Sequence, residues 1–398
     1  MLLRGIGFCP GHITGFFSIH DGDKNPLKNG SRGAGVALNN GVMVNTVLTP
    51  DAHPKKEGLD LDLNVKGPGE FKVEERLYRQ VLTELLPGKG KGWKVKLRAT
   101  LQLPVGQGFG MSGAAALATS VSVWEALYSK IPAWDRKLRY RAQQEKLFSL
   151  TTPPFKVRPV MRRLTNPMEA FLDTSREVVP PPSSGKASGM VENGGGIKEA
   201  SPWLMESRAE KERGHITFGD CVKAAHRADL ETGGGLGDVV AQARGGMTVR
   251  LAPGVPPFGE VHTLPVQLDS VPKVIAVIVG DPISTPDFLR NRAKRKMIND
   301  VGELCLSSLL MIPTMENLME ESHNFYRGTS LSGLDVKGAV SAFGDIGISS
   351  MSMVGNSVFS LLPPPVYAEK QKEIEKAWGD RGELITCDVD LLGAHPVN

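Results

Sequence analysis

Cysteine is scarce in this sequence, and the spacing of its few copies excludes two kinds of structural site. The 398-residue chain has four cysteines, and no two of them form a CxxC pair: Cys9, Cys221, Cys305 and Cys387. This pattern excludes a disulfide framework and a cysteine-ligated zinc site, and it is typical of a protein from a reducing cytosol. We therefore expect a cytoplasmic location.

Long apolar runs are missing as well. No stretch of about 18 apolar residues occurs, so we expect no membrane span. Residues 1–17 are apolar but interrupted by glycine and proline, and they lack the basic start and continuous apolar core of a secretory signal. The net charge is only +4, which suits an anionic small substrate and does not favour nucleic acid as a partner.

Glycine, by contrast, is abundant. It accounts for 45 of the 398 residues, about 11%, against about 7% in an average protein. Apolar residues make up 40% and charged residues 23%, so the composition is otherwise that of a globular protein, and the length suggests two or three domains. The extra glycine should therefore lie in particular loops.

The first glycine-rich loop lies between a predicted strand and a predicted helix. Residues Trp93–Leu103 alternate strictly between apolar and polar, which predicts a strand with one face on a core and one in water. Pro104–Gly113 follows, and then a run of small residues that predicts a buried helix. Gly108–Gly113 matches the dinucleotide-binding pattern GxGxxG. The strand before such a loop is apolar on both faces, however, and no acidic residue ends a second strand about 20 positions later, so the context argues against a dinucleotide site.

A Walker loop is excluded too, because no GK[ST] closes any glycine run. A glycine-rich turn that opens a helix nevertheless offers backbone N–H groups and a positive dipole end to a phosphate. The alternative is a tight turn whose small residues serve close packing alone. The residues by themselves leave both interpretations open.

The rest of the chain divides into an irregular stretch and a second ordered region. Residues 149–212 are rich in proline and glycine without lasting periodicity, which indicates an irregular insertion. Phe218–Leu230 predicts a helix, and the second glycine cluster, Glu231–Asp238, follows it directly. Strands and helices interleave in the last 130 residues, as in an α+β domain with an antiparallel sheet. We expect an N-terminal domain over 1–258 and a C-terminal domain over 259–398.

Three segments in order resemble the motifs of the GHMP kinase superfamily: FCPGHITGFF, PVGQGFGMSGAAAL and ISSMSMVGNSVFSLL. Within that superfamily, GSRGAGVAL and AHRAD followed by GLGDVVAQ are also similar to the archaeal pantoate kinases. The resemblance covers about residues 1–145 and 215–398. It implies an α+β protein of GHMP kinase fold, with an N-terminal domain like ribosomal S5 domain 2 and a ferredoxin-like C-terminal domain.

The resemblance also implies an activity and its cofactors. Members of the family transfer the γ-phosphoryl group of ATP to the primary hydroxyl of pantoate, which gives 4-phosphopantoate for coenzyme A synthesis, and they use Mg²⁺. A homodimer is implied in the same way. By position, the residues expected around the ATP phosphates are Pro104, Gly106, Gly108, Gly110, Met111, Ser112 and Gly113, with Ser112 also on the metal.

The remaining site residues are carried over by the same resemblance. Asp238 is the expected base that accepts the alcohol proton. The family has a glutamate on the metal where this sequence has Asp229, so either Asp229 or Glu231 is expected there. Arg250 is the expected partner of the substrate carboxylate, because a guanidinium binds a carboxylate through two parallel hydrogen bonds.

Three further polar residues are expected to contact substrate: His226, Ser31 and His12. His12 falls where several sibling kinases carry a catalytic lysine. Two alternatives stay open, a kinase of another small hydroxy acid and a binding protein that kept the fold but not the catalysis. The second is favoured by Asp229 in place of glutamate, by the extra Gly233 and Gly234, and by the long insertion.

Overall fold

A computed structural model of the protein describes residues 2–51, 59–149, 216–283 and 292–397. The predicted insertion at 149–212 lies outside the described residues except for Ser149. These described residues all belong to one compact unit. The predicted division into domains 1–258 and 259–398 stays a prediction.

Within the described residues, the strands are β1 (Leu3–His20), β2 (Gly30–Pro50), β3 (Asp60–Lys66), β4 (Trp93–Leu101), β5 (Met247–Ala252), β6 (Glu260–Thr263), β7 (Lys273–Ile278), β8 (Ser350–Met351), β9 (Ser357–Leu362), β10 (Glu383–Asp388) and β11 (His395–Pro396). The helices are α1 (Glu75–Leu85), α2 (Met111–Leu127), α3 (Ala133–Ser149), α4 (Phe218–Glu231), α5 (Asp238–Arg244), α6 (Arg292–Met311), α7 (Met315–Thr329), α8 (Leu334–Ala342) and α9 (Pro364–Trp378). In this part of the chain, none of the helices has the length and hydrophobicity needed to cross a bilayer.

The first sheet is organised around β2, a strand long enough to serve three neighbours. The order is β11-β1-β2-β4-β3, with β5 paired to β2 and β6 paired to β5. β2 pairs with β1 along most of its length, with β5 through its first half and with β4 through its second half. In this register Gly35 of β2 lies opposite Thr248 of β5, and Gly33 lies opposite Arg250. The first half of β2 therefore connects β1 to β5.

The strand predicted from strict alternation is confirmed as β4. Its residues alternate between buried and exposed positions, with Val95, Leu97 and Ala99 on the core side. β4 lies inside the sheet, between β2 and a parallel β3. One face of this part of the sheet is therefore in water, as the alternation indicates.

Helix α2 covers the inner face of the first sheet. The helix is buried over nearly all of its length, which explains its small and apolar composition without polar periodicity. It packs on β1, where a side chain at Gly5 or Gly7 would collide with its backbone. Trp124 at its end packs edge-on against Tyr140 of α3, with ring centroids 5.1 Å apart. This layer holds the start of α2 at a fixed place beside β1.

A second sheet is built entirely from the last 130 residues. Its strands are antiparallel in the order β10-β7-β9-β8, which confirms the predicted antiparallel sheet. Helix α7 packs between it and β1, and helix α6 packs on α7 and on β1. Phe17 of β1 meets Phe325 of α7 with ring centroids 5.8 Å apart. The end of β1 is thus the part of the first sheet that packs on α7, and the candidate site opens nearby.

Candidate active site

A cavity of about 260 Å³ lies where the three motif segments meet. The first glycine loop, the second glycine cluster and the turn before β9 all contribute to its wall, together with three residues from β1 and β2. The lining residues that bear on function are Thr14, Ser31, Gly106, Gly108, Gly110, Met111, Ser112, Gly235, Asp238 and Val354. Segments more than 200 residues apart in the sequence therefore form one site.

The first glycine loop is anchored to the second sheet. The side-chain amide of Gln107 donates to the Gly280 carbonyl (2.8 Å), and the hydroxyl of Ser357 donates to the Gln107 carbonyl (2.7 Å). The loop ends at Gly110, which precedes α2 with a φ of 63°, a left-handed conformation that favours glycine. A Cβ at Gly110 would also lie 2.9 Å from Gln242 Nε2. The loop therefore places the unbonded N–H groups of the first turn of α2 at the cavity.

Asp238 begins α5 and points its carboxylate toward β1. Its Oδ1 lies 2.8 Å from His12 Nδ1 and 3.4 Å from Thr14 Oγ1. Burial by itself would raise the pKa of Asp238, but the hydrogen bonds from His12 and Thr14 and the charge of Arg250 oppose it, and the pKa is lowered. The side chain keeps 19% of its surface exposed. Asp238 is therefore an ionised carboxylate that a ligand in the cavity can reach.

Arg250 lies directly beneath the second glycine cluster and is 1% exposed. A Cβ at Gly237 would lie 2.7 Å from Arg250 Nε, and it would also collide with the hydroxyl of Ser31. Neither Nε nor Nη1 of Arg250 has a hydrogen-bond partner among the described residues. Burial lowers the pKa of Arg250 to about 10, opposed by the charge of Asp238, so the group remains a cation at neutral pH. Arg250 does not itself line the cavity, but Gly237 and Ser31, which lie against it, do, and a buried guanidinium with two unpartnered nitrogens at this position favours an anionic ligand.

Asp229, near the end of α4, is fully buried. Burial raises its pKa to about 7; the Ser112 hydroxyl opposes this rise and the charge of Asp238 adds to it. Neither carboxylate oxygen makes a hydrogen bond of good geometry within the described part of the chain. Glu231, in contrast, is half exposed and forms an ion pair with Arg76 (3.7 Å). Of the two expected metal acids, the structure therefore brings only Asp229 to Ser112.

The other predicted residues lie further from the cavity. Pro104 and Gly113 flank the lining residues without joining them. His226 is 2% exposed and its Nε2 donates to the Asn29 carbonyl (2.9 Å), which places it under the start of β2 rather than at the cavity wall. His12 is fully buried behind Asp238. Contact of His226 and His12 with substrate stays a prediction.

Sequence reasoning missed two residues that the structure adds to the site. Thr14 lines the cavity and contacts Asp238, and the hydroxyl of Thr248 lies 3.3 Å from His12 Nε2. Thr14 could have been found from the sequence, because positions i and i+2 of a strand share a face and His12 was already a candidate. Thr248 could not, since it reaches His12 only across β2.

The two sheets and the helices packed on them form an α+β protein, and the predicted α+β fold of GHMP kinase type is confirmed. A solved structure described as a phosphotransferase related to the CoA biosynthesis pathway aligns with a TM-score of 0.63 at 23% identity, covering 100% of this chain and 99% of that one. At this identity the likeness establishes the fold alone. No protein-family model matches the sequence.

Among curated proteins, the sequence is similar to pantoate kinases. That of Methanocaldococcus jannaschii is 30% identical over 165 residues, which are 42% of this chain and 57% of that protein. That of Thermococcus kodakarensis is 26% identical over 377 residues, 94% of this chain and 92% of that protein. The match to the first relative thus spans little more than half of its length. The predicted resemblance to archaeal pantoate kinases is confirmed.

Proposed function

We propose that this protein is an ATP-dependent kinase that phosphorylates the primary hydroxyl of pantoate on the route to coenzyme A. The observation that carries the proposal is an ionised carboxylate on the cavity wall together with a buried cation directly behind Gly237 of that wall, two of whose nitrogens have no hydrogen-bond partner among the described residues. Asp238 can take a proton from an alcohol, and Arg250 offers unused N–H donors to a carboxylate. A hydroxy acid presents both groups. The similarity to curated pantoate kinases supports this choice of hydroxy acid.

The two glycine segments and α2 supply the phosphate site of this proposal. The first turn of α2 presents unbonded N–H groups to the cavity, where the triphosphate of ATP would accept them. The alcohol oxygen attacks the γ-phosphorus, its proton passes to Asp238, and the bond from the γ-phosphorus to the bridging oxygen of ADP breaks. Asp238 and the first turn of α2 line the same cavity, as this in-line geometry requires.

The donor set at Asp229 and Ser112 fits Mg²⁺. A buried carboxylate without well-formed hydrogen bonds and a neighbouring hydroxyl are hard oxygen ligands, and Mg²⁺ is commonly held by one or two carboxylates together with substrate phosphates. Such a site does not require several protein ligands. Within the described residues, no group of three or more histidine, cysteine or acidic side chains is placed so that it could hold a metal ion. When bound, the ion neutralises charge on the transferring phosphate.

The location and assembly of the protein are part of the proposal. We place it in the cytosol from its cysteine pattern, and in an archaeon as a homodimer from the family resemblance; the low net charge and the lack of long apolar runs favour neither nucleic acid nor membrane as a partner. Light scattering of the purified protein tests the dimer, and a monomeric mass at assay concentration would contradict it.

A panel of alcohols with ATP and Mg²⁺ tests the function. Pantoate should be phosphorylated, and pantothenate, in which an amide replaces the carboxylate next to the 2-hydroxyl, should be a poor substrate because it cannot pair with Arg250 in the same way. Turnover of a different hydroxy acid without turnover of pantoate would overturn the specificity. Binding of ATP and pantoate without any turnover would favour a binding protein of the same fold.

A further inference from the structure

His12 is locked in place behind the carboxylate of Asp238. Its ring is fully buried, and its Nδ1 lies 2.8 Å from Asp238 Oδ1. We propose that His12 is a positioning residue for phosphoryl transfer, a neutral imidazole whose Nδ1–H holds one oxygen of Asp238 so that the other faces the acceptor alcohol. The inference rests on the proposed function in taking Asp238 as the base, and it gives His12 a role other than contact with substrate.

The hydrogen bonds of His12 determine which ring nitrogen carries the proton. A carboxylate only accepts hydrogen bonds, so Nδ1 must be the donor to Asp238. Nε2 lies 3.3 Å from the hydroxyl of Thr248, which can donate to it. Burial lowers the pKa of His12 and the charge of Arg250 lowers it further, while Asp238 opposes both. The imidazole is therefore neutral at pH 7, with its proton on Nδ1.

The strand register explains how His12 reaches Thr248. β2 lies between β1, which carries His12, and β5, which carries Thr248. At the crossing point β2 has Gly35, and a Cβ there would lie 2.6 Å from His12 Nε2. The missing side chain leaves the space that the ring occupies. Any larger residue at position 35 would push the imidazole away from both partners.

The two oxygens of Asp238 have different surroundings. Oδ1 receives the hydrogen bonds from His12 and from Thr14 Oγ1, at 2.8 and 3.4 Å. Among the described residues, no hydrogen bond to Asp238 goes to Oδ2, which lies against Gly235 in the space where a side chain would be. Gly235 lines the cavity. Oδ2 is therefore the oxygen left free to take a proton.

The charges around Asp238 explain why a neutral hydrogen-bond donor at position 12 suits a carboxylate that acts as a base. The titratable groups that face it from neighbouring elements are His12 of β1, Arg250 of β5 and Asp229 of α4. Only Arg250 brings a full positive charge. A cationic side chain in place of His12 would lower the pKa of Asp238 further and weaken it as a base. A neutral N–H donor orients the carboxylate without that loss.

Two substitutions of His12, assayed in the full-length protein, separate positioning from packing. His12→Leu keeps the ring volume approximately but removes the donor, so kcat should fall about 10²-fold, with both KM values near those of the wild type. His12→Asn places an amide N–H near the position of Nδ1 and should recover most of kcat. In His12→Leu the acid limb of the pH profile of kcat should move to higher pH, because the pKa of Asp238 rises without its donor.

Other outcomes would overturn the inference. A rise in KM for the hydroxy acid with unchanged kcat would make His12 a substrate contact. Equal losses of kcat in His12→Leu and His12→Asn, each with an unshifted pH profile, would make its role one of packing only. Thermal unfolding of both variants identifies a general loss of folding, and in that event His12→Asn and the titration described next decide the question.

A titration without substrate keeps this inference separate from the proposed function. In protein labelled with ¹³C at the aspartate carboxyl carbons, the Asp238 signal is assigned by its loss in Asp238→Asn. Its titration midpoint should rise in His12→Leu and stay near that of the wild type in His12→Asn. An unmoved midpoint in His12→Leu would overturn the role of His12, even in a protein that phosphorylates pantoate. A shifted midpoint in a protein that does not phosphorylate pantoate would instead contradict only the proposed function.

Discussion

The carboxylate of Asp229 occupies the space that a side chain at Gly234 would need. A Cβ built at Gly234 would overlap Asp229 Oδ1, and the backbone N–H of Gly234 donates to the Asp229 carbonyl (2.7 Å). Gly234 is thus matched to the shorter acid at position 229. In sequence this extra glycine suggests a damaged site, whereas in the structure it makes room for the buried carboxylate.

Gly234→Ala should therefore weaken metal binding. The added methyl group would displace the Asp229 carboxylate, and the Mg²⁺ concentration for half-maximal activity should rise about 10- to 100-fold. Gly22→Ala is a matched control, because a Cβ at Gly22 would meet no atom within 4 Å. Activity as a function of Mg²⁺ measures the effect, and equal Mg²⁺ requirements in the two variants would remove Asp229 from the metal site.

Asp238→Asn should abolish most of the phosphoryl transfer while ATP still binds. The amide keeps the shape of the carboxylate but cannot accept the alcohol proton, so kcat should fall about 10²- to 10⁴-fold. Single-turnover assays measure the loss, and calorimetry measures ATP binding. Wild-type kcat in this variant would show that the proton goes elsewhere.

Arg250→Met should impair substrate binding without destabilising the fold. A hydrogen bond to a charged group contributes about 1.5–3 kcal/mol, so KM for the hydroxy acid should rise about 10- to 100-fold. Because an unpaired buried cation disfavours folding, the melting temperature should stay the same or rise. Arg98→Met, on the wet face of β4 where Arg98 pairs with Asp62 (2.8 Å), is the control. A lower melting temperature with unchanged KM would make Arg250 a structural residue.

Acid should destabilise the protein through its buried histidines. Burial lowers the pKa of His226, opposed by hydrogen bonds to the carbonyls of Asn29 and Pro26. Below about pH 6.5 the unfolded chain binds a proton there that the folded protein does not, so the free energy of unfolding falls as the pH decreases. His12 contributes with the same sign.

The change His226→Gln isolates this contribution. Glutamine keeps an N–H donor for the carbonyl of Asn29 but does not titrate. Urea unfolding between pH 5 and 7.5 should therefore show a smaller pH dependence in the variant than in the wild type. Identical slopes would show that His226 is protonated in the folded protein.

Local patterns predicted much of the fold. The alternation over Trp93–Leu103 located β4 to within two residues, and the predicted helix Phe218–Leu230 is one residue shorter than α4. Both predictions depend on periodicity within one element, which can be read directly from the sequence. The long pairing of β1 with β2, the position of β11 beside β1 and the crossing of His12 past Gly35 depend on contacts distant in sequence, and no local pattern encodes them.

The residues of the candidate site also divide into those that the sequence predicts and those that only the tertiary structure reveals. The two glycine segments and Asp238 could be named from sequence by resemblance, and the structure brings them to one cavity. The choice of Asp229 over Glu231 required burial, because both acids lie at the end of one helix and differ only in which side they face. The contact between His12 and Asp238 joins residues 226 positions apart, so it required the tertiary structure.

The described segments before residue 150 and after residue 215 are joined to each other by hydrogen bonds. The N–H of Phe218 donates to the Gln143 side chain (2.9 Å), and the hydroxyl of Tyr128 donates to the Ile216 carbonyl (3.0 Å). With its two ends held together, a connection between them can change in length at low cost, since each doubling adds only about 0.6 kcal/mol of closure entropy. In evolutionary terms, this is a place where residues can be gained or lost without disturbing the core of the protein.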